Sequence, residues 1–147
     1  MLAGLFVTPA VAAVSDALAS ARIETGRVAV AGDARLARAL AAPGRDVVPV
    51  GLPPRAAKKL AGALPDASTL AAGSLDAVIV VDVAADRAWE DTLRGWCRLV
   101  RDGGALVLVD RGRAVEATRR ALCAGLTEIE QRHVGRAVVT SGLVTQL

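Results

Sequence analysis

Two short apolar runs between residues 75 and 112 constrain the fold more than any other feature of this chain. Residues 77–81 (AVIVV) and 105–109 (ALVLV) show no alternation with polar residues, and they are followed by Asp82 and Asp110. Uninterrupted β-branched runs of this length are typical of strands that are covered on both faces, as in a parallel sheet. A helical segment separates the two runs, so the pattern predicts a right-handed strand–helix–strand unit at the centre of a sheet.

The segments around this unit predict an α/β fold, with a doubly wound, mostly parallel sheet and flanking helices. Short β-like runs alternate with helical patterns, and the last two runs have the spacing of a C-terminal antiparallel hairpin. The other predicted strands are residues 27–31, 46–50, 127–133 and 137–145, and the other predicted helices are residues 34–42, 55–64 and one that ends at Ala124.

Three segments carry more specific expectations. Pro49 predicts a short or irregular second strand, because proline cannot donate a ladder hydrogen bond. Residues 66–73 leave room for a very short strand at most. Residues 102–104 (Asp-Gly-Gly) are expected to form the turn before the fifth strand.

The N-terminal residues 1–26 are expected to form an apolar segment and a helix that packs on the α/β domain of residues 27–147, within a single domain overall. Thr8 and Pro9 have the pattern of an N-cap followed by proline in the first helical turn. The uncharged segment before them has no obvious internal partner. We therefore expect Leu2, Leu5 and Phe6 to bind a protein partner or a second copy of the chain.

Composition excludes several classes of function. The net charge is only +3, with arginines interleaved among acidic residues, and aromatic residues make up 2% of the chain. Nucleic acid is therefore not expected as a partner. No apolar run approaches the length of a membrane span, so no membrane is expected either. Cys97 and Cys123 have no metal-ligand spacing; as buried thiols they indicate a reducing, cytoplasmic location.

A family resemblance rests on three stretches. SLDAVIVVDVAAD is followed by LRGWCRLVRDGGALVLVD, in which a helix leads to an arginine-rich turn with paired glycines. VAVAGDARLARALAAPGRDVVPVGLPPRAAKKL has the form of a first strand–helix–strand unit, and the chain closes with a helix and two strands. Together these stretches resemble the class I (Rossmann-like) S-adenosylmethionine-dependent methyltransferases from Arg27 onward. The resemblance implies a methyltransferase-like Rossmann fold and, if the protein is active, S-adenosylmethionine as its cofactor.

The same resemblance implies a degenerate cofactor site. Gly32 matches one glycine of the loop after the first strand, but Val30 and Ala34 stand where the other two are expected. Val28 replaces the acid usual inside that strand. Gly51 stands where an acidic residue normally accepts hydrogen bonds from the two ribose hydroxyls, which suit a bidentate carboxylate.

Three acidic residues are candidates for the remaining cofactor contacts, and each has a structural alternative. Asp66 matches the position that binds the adenine amino group, or it caps the turn after Pro65. Asp33 replaces a lost acid of the glycine loop, or it caps the following helix. Asp82 takes the position of a catalytic or substrate-facing residue, or it also caps a helix.

Other chemistries have less support in the sequence. The segment from Gly32 to Ala37 echoes the dinucleotide fingerprint with alanine in place of two glycines, and it too lacks an acid at Gly51. No nucleophile elbow, P-loop or HExxH motif occurs, and His133 is the only histidine. Arg111 and Arg113 follow the fifth strand, where they could meet an anionic group or lie in solvent.

Two functional hypotheses follow. In the first, the chain is a non-catalytic methyltransferase-like domain without cofactor that binds a protein partner or itself in an assembly. In the alternative, it is a small active methyltransferase that holds S-adenosylmethionine through Gly32, Asp33, Asp66, Asp82 and backbone groups. The catalytic residues stay unassigned, and no metal is expected.

Overall fold

A computed structural model describes residues 2–41 and 44–146, with side chains from Ala10 onward. A six-stranded sheet forms its centre, and helices cover both faces. The elements are α1 (Leu2–Ser20), β1 (Gly26–Ala31), α2 (Ala34–Leu40), β2 (Arg45–Val50), α3 (Pro54–Ala57), β3 (Leu75–Val81), a 3-10 helix (Val83–Ala85), α4 (Trp89–Leu99), β4 (Val100–Arg111), α5 (Ala114–Cys123), β5 (Thr127–Val134) and β6 (Ala137–Leu143).

The strand order is β2-β1-β3-β4-β6-β5. The first four strands of this order run parallel, and β6 pairs antiparallel with both β4 and β5. The predicted fold class is therefore confirmed, including the C-terminal antiparallel hairpin. The predicted central unit is also correct, because β3 and β4 occupy the middle of the sheet.

Each face of the sheet carries its own apolar core. Helices α1 and α2 cover one face, where Val14 and Leu18 pack with Ile79 and Val107. Helices α4 and α5 cover the other face. Alternate residues of β3 and β4 point to opposite faces, so both sides of these strands are buried, as their uninterrupted apolar runs predict. Among the described residues, no helix is long and apolar enough to cross a membrane.

The N-terminal helix starts earlier than predicted. It begins at Leu2 and passes through Thr8 and Pro9, because Leu2, Ala3 and Leu5 in the preceding segment favour a helix. The predicted helix start at Thr8 is therefore wrong. The side chains of the three expected partner-binding residues, Leu2, Leu5 and Phe6, lie outside the described residues.

The segment after β2 also differs from the prediction. A helix over residues 55–64 was expected, but α3 ends at Ala57. Leu64 instead forms a single parallel bridge with Val50: its amide donates to the Pro49 carbonyl at 2.8 Å, and its carbonyl accepts from Gly51 at 3.0 Å. Because of this long-range pairing, the helix does not extend to Leu64. The single bridge at Leu64 is the only strand-like pairing described near residues 66–73, and it lies just before them.

Proline in β2 does not shorten the strand. All six residues of β2 pair with β1, and Pro49 lies opposite Val30. An irregular strand was expected and is not found. Strand β2 is an edge strand of the six-stranded sheet, and the Pro49 carbonyl accepts from Leu64 on its outer side. The pairing with β1 therefore requires no backbone donor from Pro49.

The expected turn at residues 102–104 is part of β4. Gly103 (φ +79°) donates to the Val144 carbonyl at 2.8 Å, and the Val144 amide donates to Gly104 at 2.8 Å. A Cβ atom on Gly104 would lie 2.6 Å from the Asp76 carbonyl oxygen. The paired glycines therefore allow the chain to follow the sheet closely instead of reversing it.

The close approach at Gly104 leads to a stability prediction. Gly104→Ala should lower the free energy of unfolding by about 1–3 kcal/mol, because the added methyl group overlaps the backbone of β3. The matched control is Gly95→Ala in α4, where an added Cβ meets nothing within 4 Å. That control should raise stability by about 0.5–1 kcal/mol. Urea denaturation followed by circular dichroism measures both values, and equal effects would contradict the packing argument.

Candidate functional site

The predicted cofactor residues lie beyond the carboxyl ends of the parallel strands. Gly32 and Asp33 follow β1, Gly51 follows β2, and Asp82 follows β3. Asp66 comes two residues after Leu64, which pairs parallel with β2. The fold therefore brings these positions to one edge, where open α/β sheets bind ligands.

Two glycines at this edge leave space for an approaching group. Gly32 and Gly51 have φ values of +93° and +69°, and a Cβ atom added to either would meet nothing within 4 Å. The Gly32 amide donates to the Val50 carbonyl at 3.2 Å, which ties the first loop to β2. Gly51 provides no carboxylate for ribose, and the sequence contains no acidic residue from there until Asp66.

Asp33 acts as a helix cap. Its Oδ1 accepts a hydrogen bond from the Leu36 amide at 2.9 Å, in the usual geometry of an N-cap. This bond satisfies one of the free donors in the first turn of α2. The structure therefore contains the helix-capping contact of Asp33, which was the alternative to cofactor binding.

Asp66 also binds its own backbone. Its Oδ1 accepts from the Ser68 amide at 2.8 Å in an exposed turn. The side-chain and backbone hydrogen bonds from Ser68 lower the pKa of Asp66. The carboxylate thus stabilises the local turn that was given as its structural alternative.

Asp82 does not cap the following helix, contrary to the structural alternative. It adopts a left-handed conformation (φ +64°), is exposed, and its side chain makes no capping hydrogen bond. Asp110 provides the acceptor instead: its Oδ1 accepts from the Ala84 amide at 2.9 Å. The two residues neighbour each other because Val81 and Val109 are paired in β3 and β4.

Asp110 is the residue at this edge that the sequence analysis left without a role. It is 2% exposed, and its Oδ2 has no hydrogen-bond partner among the described residues. Burial raises the pKa of Asp110; the Ala84 hydrogen bond opposes this shift, and the charge of Asp82 adds to it. Its position directly after a buried apolar run was the available signal.

Two arginines hold the loop between β3 and α4. The Arg120 guanidinium donates to the carbonyls of Val83 and Asp86, and it lies 5.1 Å from the centre of the Trp89 ring. The Arg113 guanidinium donates to the Ala84 carbonyl at 3.3 Å. Together with Asp110, these contacts fix the segment in which the resemblance places a substrate-facing residue.

Two grooves lie away from the carboxyl edge of the parallel strands. One groove of about 870 Å³ runs between α4 and the chain near Leu126 and Gln146, and a second of about 550 Å³ flanks α5. Neither is lined by the predicted cofactor residues. No group of three or more potential metal-ligating side chains occurs in the described ranges.

The two cysteines both line the larger groove. Cys97 is partly buried, and burial raises the pKa of its thiol. Cys123 is exposed, so the expectation that both thiols are buried is wrong for this residue. It is the last residue of α5, ahead of the loop that leads to β5.

No family model matches this sequence, and no curated protein matches it either. Solved structures do match. One is a chain from the complex between the Haloferax volcanii Trm112 methyltransferase activator and a methyltransferase, with a TM-score of 0.72 and 14% identity, covering 91% of this chain and 89% of that one. The chain has the class I methyltransferase fold.

Two further structures support this assignment of the fold. An Aquifex aeolicus SAM-dependent methyltransferase aligns with a TM-score of 0.66 and 10% identity over 82% of both chains. The T. thermophilus 16S rRNA methyltransferase RsmC, in complex with AdoMet and guanosine, aligns with a TM-score of 0.64 and 19% identity. That match covers 82% of this chain and 36% of RsmC. At these identities the methyltransferase likeness concerns the fold.

The capping role of Asp33 gives a prediction. Asp33→Ala should lower the free energy of unfolding by about 1 kcal/mol, because the Leu36 amide loses its acceptor. Asp33→Ser retains a capping oxygen and should stay close to the wild-type value. Chemical denaturation of the three proteins checks this, and an equal loss in both variants would contradict the cap.

Burial of Asp110 predicts a pH effect. The folded protein holds this proton more tightly than the unfolded chain, so the free energy of unfolding falls as pH rises from the ordinary carboxyl pKa to the raised folded pKa. Asp110→Asn retains an oxygen for the Ala84 amide and does not titrate. The stability of this variant relative to wild type should therefore increase across that interval. Denaturation at a series of pH values measures the difference, and a constant difference would contradict the prediction.

Proposed function

We propose that this chain is a methyltransferase-fold domain that binds another protein and does not transfer methyl groups. The observation that carries the proposal concerns the carboxylates at the ligand-binding edge. Gly51 has none, and those of Asp33 and Asp66 accept hydrogen bonds from their own backbone segments. The position that the resemblance assigns to the ribose-binding acid therefore offers no carboxylate to the ribose hydroxyls of a nucleoside cofactor.

The missing carboxylate at Gly51 removes one charge-assisted contact to the ribose hydroxyls of a cofactor. A missing charge-assisted contact costs about 1.5–3 kcal/mol, which corresponds to roughly ten- to a hundredfold in affinity. One such loss would weaken a cofactor site without removing it. Here the ribose acid and two glycines of the first loop are lost together, and the two nearby acids already have other partners.

Two other observations support a binding role. The loop after β3 is held through its backbone by Arg113, Arg120 and Asp110, which makes it a fixed surface. The Haloferax volcanii neighbour comes from a complex with a methyltransferase activator, which is one example of this fold in contact with another protein.

A small active methyltransferase is the alternative function. Gly32 favours it, because its positive φ and the open space around it would let a ligand reach the backbone. Two structural neighbours contain AdoMet or SAH. In this alternative the cofactor would be held by backbone groups and by Asp82, whose side chain makes no capping hydrogen bond.

Isothermal titration of the folded full chain with S-adenosylmethionine and S-adenosylhomocysteine tests the proposal, with NAD as the control ligand. We expect no heat of binding at millimolar ligand, because the ribose acceptor and two loop glycines are missing together and the two nearby acids already have other partners. Circular dichroism on the same sample establishes that the protein is folded. Micromolar binding of the first two ligands would overturn the proposal and favour the enzyme.

A further inference from the structure

An open strand edge and one helix flank form a continuous surface on this domain. Strand β5 is the last strand of the sheet, so its outer backbone groups pair with no other strand in the described structure. Helix α5 packs against β5 and β6, on the face of the sheet that α4 also covers. We call this region the β5–α5 surface, defined by residues 130–134 of β5 and by Val115, Thr118 and Leu122 of α5.

The helix flank of this surface is apolar and exposed. Val115 and Leu122 are 78% and 62% exposed, and they are the exposed large hydrophobic residues of the described chain. With Thr118 they fall at i, i+3 and i+7 on one stripe, and they line the 550 Å³ groove that reaches Gln131. Apolar side chains grouped beside an unpaired strand indicate a contact surface for another protein.

The surface is held rigidly in place. The Gln131 side chain donates to the Ala114 carbonyl at 2.8 Å and contacts the hydroxyls of Thr118 and Thr140 at 3.0 Å. This one amide fixes α5 against both strands of the hairpin. A surface fixed before binding loses little conformational freedom when a partner docks.

The charges of β5 indicate which partner fits. Glu130 precedes Gln131 and Arg132 follows it, and both charged side chains lie on the face covered by α1, with their own atoms 2.9 Å apart. Charged residues on an edge strand oppose pairing with an unmatched strand. A second copy of β5 that runs antiparallel has complementary charges, because Arg132 of each strand then lies opposite Glu130 of the other.

We propose that a second copy of this chain docks on the β5–α5 surface, with the two β5 strands antiparallel about a two-fold axis at Gln131. Glu130 of each copy then faces Arg132 of the other, which is a favourable cross-strand pair. The inference rests on the proposed function, which it deepens by naming the partner. The irregularity near Glu128 (φ +50°) keeps the strand pairing short, so the apolar stripes of α5 supply the remaining contact area.

Charge exchange tests this register. Glu130→Arg makes the edge wholly basic, and Arg132→Glu makes it wholly acidic, so each variant should be monomeric. An equimolar mixture of the two should form a heterodimer, because every cross-strand pair is again opposite in charge. The ion pair within one strand stays broken in both variants, so it cannot explain recovery on mixing. Sedimentation velocity of the full chain, over about a hundredfold range of concentration, measures association.

Substitutions on α5 test the apolar part independently. Val115→Asp should weaken self-association at least about tenfold, since it places a charge in the apolar stripe that α5 contributes to the contact. The control is Ala39→Asp on the exposed face of α2, which should associate like wild type. Both sites are exposed, so these variants remain informative if a charge-exchanged strand fails to fold.

The outcomes separate the two proposals. A wild-type chain that stays monomeric at every concentration overturns the dimer, as does a mixture that stays monomeric while each variant is folded. A dimer unaffected by Val115→Asp also overturns this surface. Titration of the same samples with S-adenosylmethionine tests the non-catalytic function separately, because the β5 edge lies at the opposite end of the sheet from β1 and β2.

Discussion

The pairing of β3 with β4 is the interaction on which the other elements depend. Both strands are parallel, central and buried on both faces, so each face must be covered by helices to keep its valines and leucines from water. The parallel direction requires a crossover through α4 and brings the carboxyl ends of the strands to one edge. The loops at that edge lie where open α/β sheets bind ligands.

At that edge, local structure and ligand binding compete for the same carboxylates. Asp33 and Asp66 each accept a hydrogen bond from a backbone amide two or three residues ahead. A short side chain reaches such an amide with little loss of conformational freedom, so this contact needs no ligand to form. The carboxylates of Asp33 and Asp66 therefore stabilise the loops of the methyltransferase fold.

Asp110 shows the opposite arrangement, in which a polar group is buried to serve another segment. Its carboxyl group lies under the 3-10 helix and accepts from the Ala84 amide, while Arg113 and Arg120 bind carbonyls of the same segment. Burial of the carboxyl is unfavourable, as its raised pKa indicates. In return, the buried carboxyl group and the two arginines hold the loop between β3 and α4 in one conformation.

The sequence by itself determined the fold class, the central strands and the hairpin, because uninterrupted valine-rich runs and their spacing allow few other architectures. It also contained both roles of Asp33 and Asp66 as alternatives. Contacts between distant residues decided the rest. Leu64 leaves the predicted helix because Pro49 and Gly51 offer it a strand partner, and Gly103 extends a strand because Val144 pairs with it. The Ala84 amide donates to Asp110 and not to Asp82. Asp110 lies 28 positions after Asp82 in the chain but beside it in the sheet. Local patterns report local preferences, whereas hydrogen bonds between distant segments form only when the sheet brings those segments together.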